Sequence, residues 1–147
     1  MTDLGTHVPN YDITKLYKPG DNQDMLVNTC PFGSALASTF STPESPDSPH
    51  SVVAMANHGF TAVGTSIKQA VYRAVYTHVN AGVQSNAILM RSAQQQVQPG
   101  STGEIRYLNT EQSMASLKLN EASLERPWGL WEREVEVSPL YVRKGPS

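Results

Sequence analysis

Between Ser51 and Met90 a short apolar run, a turn, a second short run and a long amphipathic stretch follow one another directly, and that order leaves few folds open. Ser51 to Ala56 (SVVAMA) is nearly continuous in apolar residues, the pattern of a strand covered on both faces. Asn57-His58-Gly59 is a turn signal, and Phe60 to Val63 (FTAV) completes a hairpin that Gly64 breaks. Ser66 and Gln69 match the Ser-x-x-Gln form of the capping box, and the helix they open runs to about Met90. Ile67, Ala70, Val71, Ala74, Val75, His78, Ala81 and Gly82 recur at helical spacing on one face. Tyr72, Tyr76, Val79, Val83 and Ala87 stripe another side, which predicts burial on more than one face. The expected arrangement is α/β, with the Ser51–Val63 hairpin central and packed under the helix.

The flanking blocks are less patterned. Val8 to Ile13 and Met25 to Val27 read as short strands. Asn28 to Phe40 reads as a helix: Asn28 or Thr29 caps it, Pro31 fits its first turn, and Phe32, Leu36 and Phe40 form one stripe. Ser41 to Pro49 (STPESPDSP) and Gln94 to Gly103 (QQQVQPGSTG) read as connectors, because their prolines and glycines interrupt any ladder. Beyond them, Ile105 to Leu108 suggests a strand, and Thr110 to about Leu124 a helix with Met114, Leu117 and Leu124 inward. Pro127 begins a last helix with Trp128, Trp131 and Val135 aligned. No composition shift separates these blocks, so residues 1–142 are expected to form one domain and 143–147 a frayed, flexible tail.

Eleven Lys and Arg against thirteen Asp and Glu give a net charge of −2. That balance lacks the dense positive field a nucleic-acid backbone or an anionic membrane requires. No stretch approaches the length of a membrane span, and the first ten residues carry no signal or transit pattern. With Cys30 as its single cysteine, the chain is expected in a reducing, cytoplasmic setting. The histidines are His7, His50, His58 and His78, and no His-x-His, His-x-x-x-His or Cys-x-x-Cys spacing occurs. Spacing alone therefore predicts no complete metal site. Phosphate-cradling glycine loops and a G-x-S-x-G elbow are also missing. His58, in a turn after a buried strand, sits where ligands commonly bind, although capping the hairpin is the simpler role. His78 lies on the apolar helix face and reads as a core residue. Trp128 and Trp131 read as core or interface anchors, and Glu132, Arg133, Glu134 and Glu136 as a solvated charged face.

The run Val53-Ala-Met-Ala-Asn-His-Gly-Phe-Thr-Ala-Val-Gly-Thr-Ser-Ile-Lys-Gln-Ala70 resembles the "vlmrnHG…vvG.sl.eA" signature of the class II aldolase/adducin family. Asp24-Met-Leu-Val27 with Gly33-Ser-Ala-Leu-Ala37 is similar to the family's preceding strand-then-helix segment. Val8-Pro-Asn-Tyr-Asp-Ile13 resembles the strand before that, and Trp128-Gly-Leu-Trp-Glu-Arg-Glu-Val135 a common C-terminal helix. The resemblance implies a three-layer α/β/α sandwich around a mostly antiparallel sheet, present here in incomplete form, and often a ring-like homo-oligomer. It also implies a divalent metal, usually zinc, held by three histidines, with His58 at the position of the third ligand. Such a metal stabilises the enediolate formed when a bond breaks beside a carbonyl.

The family's His-x-His pair, its nearby acidic residue and its phosphate-binding loops have no counterpart in these 147 residues, and neither His7 nor His50 matches the pair. Two readings follow. One is a lyase acting on a small carbonyl substrate by aldol cleavage, condensation or decarboxylation, as a tailoring step in secondary metabolism. Its site would use His58 and groups from a partner subunit, with Tyr72, Tyr76 and His78 as further candidates. The other is a non-catalytic aldolase/adducin-fold relic that serves as an interaction or structural module.

Overall fold

The structure is a computed structural model of the chain that describes residues 8–41, 50–98, 100 and 103–141. Within these residues the elements are β1 (Asn10–Tyr11), a 3-10 turn (Ile13–Leu16), α1 (Cys30–Thr39), β2 (Val52–Met55) and β3 (Gly59–Ala62). There follow α2 (Ile67–Val97), α3 (Thr110–Ala122) and α4 (Glu125–Val137). His7, most of the Ser41–Pro49 connector and the Arg143–Ser147 tail lie outside the described residues, as do Pro99, Ser101 and Thr102 of the second connector. Among the described residues no helix is long and apolar enough to cross a membrane.

The strands form one sheet in the order β1-β2-β3. β1 pairs with β2 in parallel and β2 with β3 antiparallel, so the sheet is mixed rather than mostly antiparallel. The hairpin is correspondingly only half central: β2 occupies the middle, and β3 is the edge strand. Val52 and Val53, whose side chains alternate across the sheet, are 2% and 0% exposed, as the unbroken apolar run predicts. On the Val53 face, Tyr11, Ile13 and Phe40 complete a buried cluster against which Phe32, Ala35 and Leu36 of α1 pack.

Three expected strands differ for identifiable reasons. Val8–Ile13 contributes only Asn10 and Tyr11, because Asp12 caps the following 3-10 turn by accepting from the Thr14 N–H at 3.1 Å. The Thr14 hydrogen bonds hold the Asp12 carboxyl below its ordinary range. Met25–Val27 is no strand: Met25 adopts φ 64°, its N–H donates to the Tyr17 hydroxyl at 2.8 Å, and Leu26 N–H donates to Asp24 at 3.0 Å. Side-chain acceptors take the donors a ladder would have used. Ile105–Leu108 is likewise outside any sheet.

α1, α2 and α3 start at side-chain caps, whereas α4 has none and starts at Glu125, two residues before the expected Pro127. Thr29 accepts from Phe32 N–H at the start of α1, and Ser66 accepts from Gln69 N–H at 3.2 Å at the start of α2. The return arm of the expected capping box reaches one residue further back, with Gln69 Oε1 accepting from Thr65 N–H at 2.7 Å. α2 runs to Val97 rather than Met90, since the first proline and glycine after Met90 are Pro99 and Gly100. Its expected burial on two faces does not occur. A helix of 31 residues is about 46 Å long, whereas a strand of 4 residues spans about 13 Å. α2 packs against β3 and α4 only near its beginning, and Val79, Val83, Leu89 and Met90 farther along are exposed.

Tyr11 supplies a pH test of this packing. It is 4% exposed, its hydroxyl donates to the Phe32 carbonyl at 3.2 Å, and burial, with Tyr17 nearby, raises its pKa above the ordinary value. A tyrosine raised on folding stabilises fully below its unfolded pKa of about 10, and that contribution is lost as pH rises through the folded value. Urea midpoints should therefore fall in alkaline solution. Tyr11→Phe should cost about 1 kcal/mol near neutrality and make the alkaline fall shallower. An equally steep fall in the variant would assign it to other groups.

Candidate active site

His58 sits at the tip of the β2–β3 hairpin, where the local sequence dictates the geometry. Its backbone N–H donates to the Met55 carbonyl at 3.0 Å, which closes the turn. Asn57 adopts φ 58°, a left-handed conformation that asparagine tolerates better than most residues. Gly59 adopts φ 149° and faces open space. A side chain there would strain the backbone, and without one the chain stays accessible. The Thr61 hydroxyl bonds the Met55 sulfur at 3.1 Å across the hairpin. His58 itself is exposed. The imidazole is thus presented to solvent on a well-anchored turn rather than used as an interior cap.

The other candidates do not gather around it. Tyr72 and Tyr76 stack with their ring centroids 4.5 Å apart, and Trp131 of α4 lies 6.3 and 6.4 Å from the two rings. Tyr72 is buried in this cluster and Tyr76 is partly exposed. These residues tie α2 to α4, in keeping with the expected anchoring role of Trp131. Trp128 lies beneath the Lys68 ammonium at 5.8 Å, and Lys68 pairs with Glu125 at 2.7 Å. His78, expected in the core, is exposed although its neighbour Thr77 is buried, so it lies on a face of α2 that no described element covers. His50 is half-buried, and its N–H donates to the Phe40 carbonyl. The Glu132–Glu136 segment is the solvated charged face predicted, with Arg133 3.4 Å from Glu136.

Among the described residues no three or more His, Cys, Asp or Glu side chains come close enough together to hold a metal ion. His58 brings one nitrogen donor, and a stable zinc centre takes at least three protein ligands. The described residues therefore do not by themselves fit the metal implied by the resemblance.

A separate feature escaped sequence reasoning. A cleft of about 220 Å³ opens between α2 and α3, lined by Tyr72, Arg73, Thr77, Asn80, Ser116 and Asn120, with Tyr76 at its side. Singly these read as ordinary helix-surface residues. Their recurrence at 73, 77 and 80 on one helix, and at 116 and 120 on the next, was the available signal.

The family model for the class II aldolase and adducin N-terminal domain matches residues 6–85, a span that contains β1, β2, the His58 turn, β3 and the first half of α2. A similar protein is the decarboxylase tropJ of Talaromyces stipitatus, 42% identical over 140 residues that make up 95% of this chain. The chain spans about half of that relative, 52% of its length. No solved structure matches the chain at a significant level. The hairpin-and-helix order, the His-Gly turn between β2 and β3 and the match across them agree: the chain belongs to the class II aldolase and adducin family.

Proposed function

We propose that this chain is a lyase-type enzyme of the class II aldolase kind, acting on a small carbonyl substrate, with His58 in its active site. The observation that carries the reading is the presentation of His58: an exposed imidazole on a turn held by Asn57 and Gly59, inside the segment matched by the family model. Decarboxylation is the favoured reaction, supported by the similarity to a protein named a decarboxylase. In a β-keto acid, CO2 leaves without its bonding electron pair, which passes through the α-carbon to the carbonyl oxygen as an enolate. A proton then returns to the carbon. An imidazole carries an N–H donor in either protonation state, and His58 would donate it to the oxygen where charge develops.

In this reading the mixed sheet belongs to an incomplete three-layer α/β/α sandwich. The remaining polar groups of the site come from another polypeptide segment, and a second copy of the chain is the simplest source. The edge strand β3, with Phe60 36% exposed, offers a surface for such association. The reaction suits a tailoring step of secondary metabolism in the cytoplasm.

The test is CO2 release from a panel of β-keto acids by the purified full chain, His58→Ala and His78→Ala. His58→Ala should lower kcat/KM by about a hundredfold, the lower end for a lost acid–base group. Its unfolding midpoint should stay near wild type, because surface substitutions usually shift stability by less than about 0.5 kcal/mol. His78→Ala should retain activity. Full activity in a folded His58→Ala protein would overturn the site assignment. Wild type inactive on every acid, with metal content unchanged by His58→Ala, would favour the interaction-module reading instead.

A further inference from the structure

From residue 81 to residue 97 every side chain of α2 except Ala87 is exposed, yet the apolar pattern of the helix does not fade. Tyr76, Val83, Met90 and Val97 stand seven residues apart, and Val79, Asn86 and Ala93 follow the first three of them at a spacing of three. These are the a and d positions of three successive heptads, the repeat of a helix that packs along its length against another helix. Exposure along the seam climbs from 36% at Tyr76 through 60% at Val83 to 80% at Val97. The segment has little else to support it. Arg91 is its single charged side chain after His78, so no ion pair four residues apart braces it. Gly82, Val79 and Val83 weaken it further, and an uncovered helix of this length is marginal in water.

The chain exposes 11156 Å², against about 7,400 Å² for a compact monomer of 16.0 kDa. After the full extended-chain area of every residue outside the described set is subtracted, the rest still exposes about 900 Å² more than a compact body of its mass. A standard interface takes about 800 Å² from each partner. We propose that two copies of this chain pair antiparallel through the 76–93 seam of α2. With Val83 opposite Asn86 of the second copy, Val79 meets Met90, and Tyr76, the largest seam residue, meets Ala93, the smallest. The two Asn86 side chains fall in adjacent layers about 4.5 Å apart along the axis, where each carboxamide donates to the other. Gly82, around which a side chain would find only open space within one copy, lies beside Ala87 of the second copy, so the backbones approach closely. The two Arg91 stand about 20 Å apart, beyond the screening length of about 8 Å, whereas a parallel pair would set them side by side. The pairing uses neither His58 nor β3 and stands apart from the reaction proposed above.

Sedimentation of the full chain should show a dimer that dissociates in the micromolar range, with helical ellipticity falling on dilution as the seam is uncovered. Val83→Glu and Met90→Glu, at exposed positions, should each raise the dissociation constant at least about tenfold by placing a carboxylate in the seam. Ile88→Glu, on the opposite face of the helix, should leave it unchanged. Spin labels on Gln95→Cys in a Cys30→Ser background should lie roughly 30–40 Å apart in the antiparallel dimer and below about 25 Å in a parallel one. A monomer at about 100 μM would overturn the proposal. So would the shorter label distance, equal weakening by Ile88→Glu, or a dimer that survives Val83→Glu and Met90→Glu but is lost in Phe60→Glu at the β3 edge.

Discussion

Phe40→Ala should lower the stability of the chain by about 3–5 kcal/mol, the range for deleting a buried aromatic side chain. Phe40 is 5% exposed and belongs to the cluster of Tyr11, Ile13 and Val53 that joins α1 to the sheet. Few neighbours can collapse into the space it would leave. The buried apolar set among the described residues is Tyr11, Ile13, Phe40, Val52, Val53 and Tyr72, so one aromatic is a large share of the core. Native domains hold only about 5–15 kcal/mol in total, and a loss of this size should leave the variant largely unfolded at modest denaturant. Urea unfolding followed by tyrosine fluorescence or circular dichroism reads the midpoint. A change below about 1 kcal/mol would mean that this cluster does not hold α1 to the sheet.

Gly64→Ala should cost about 3 kcal/mol, near the top of the overpacking range, for a different reason. A Cβ at Gly64 would stand 2.7 Å from the Ala70 backbone nitrogen and 3.1 Å from its Cα. Both obstacles are main-chain atoms in the first turn of α2, which no side-chain rotation can move. The substitution must push α2 away from the end of β3, disturbing the Arg73 bond to the Val63 carbonyl at 2.8 Å. Thermal unfolding with helical and near-ultraviolet signals followed together should show the drop. By contrast, Gly33→Ala, in a helix with open space around the new Cβ, should be neutral or mildly stabilising. Equal behaviour of the two variants would contradict the close approach at Gly64.

The candidate site was legible in part. The His-Gly turn could be located because asparagine, histidine and glycine between two apolar runs leave little besides a hairpin tip, and the structure places His58 there. Tyr72 and Tyr76 were rightly marked as neighbours, since residues four apart share a helix face. Their joint packing against Trp131, 55 or more residues later in the chain, could not be read from periodicity. His78 was misplaced for the same reason. Periodicity gives the face a residue occupies but not whether any element lies opposite that face.

What the sequence by itself determined is local. The caps at Thr29 and Ser66, the turn at Asn57–Gly59, the helix segments and the buried β2 pair follow from hydrogen-bond donors, backbone freedom and apolar spacing within a few residues. Tertiary structure alone decided the parallel pairing of β1 with β2 and the position of β3 at the sheet edge. It also decided the exposure of the second half of α2 and the polar cleft between α2 and α3. Each of these depends on which surfaces meet across long stretches of chain and on how far one element outreaches another. A helix about 46 Å long against strands of about 13 Å must leave much of its apolar face uncovered, and only the assembled elements show where the cover ends.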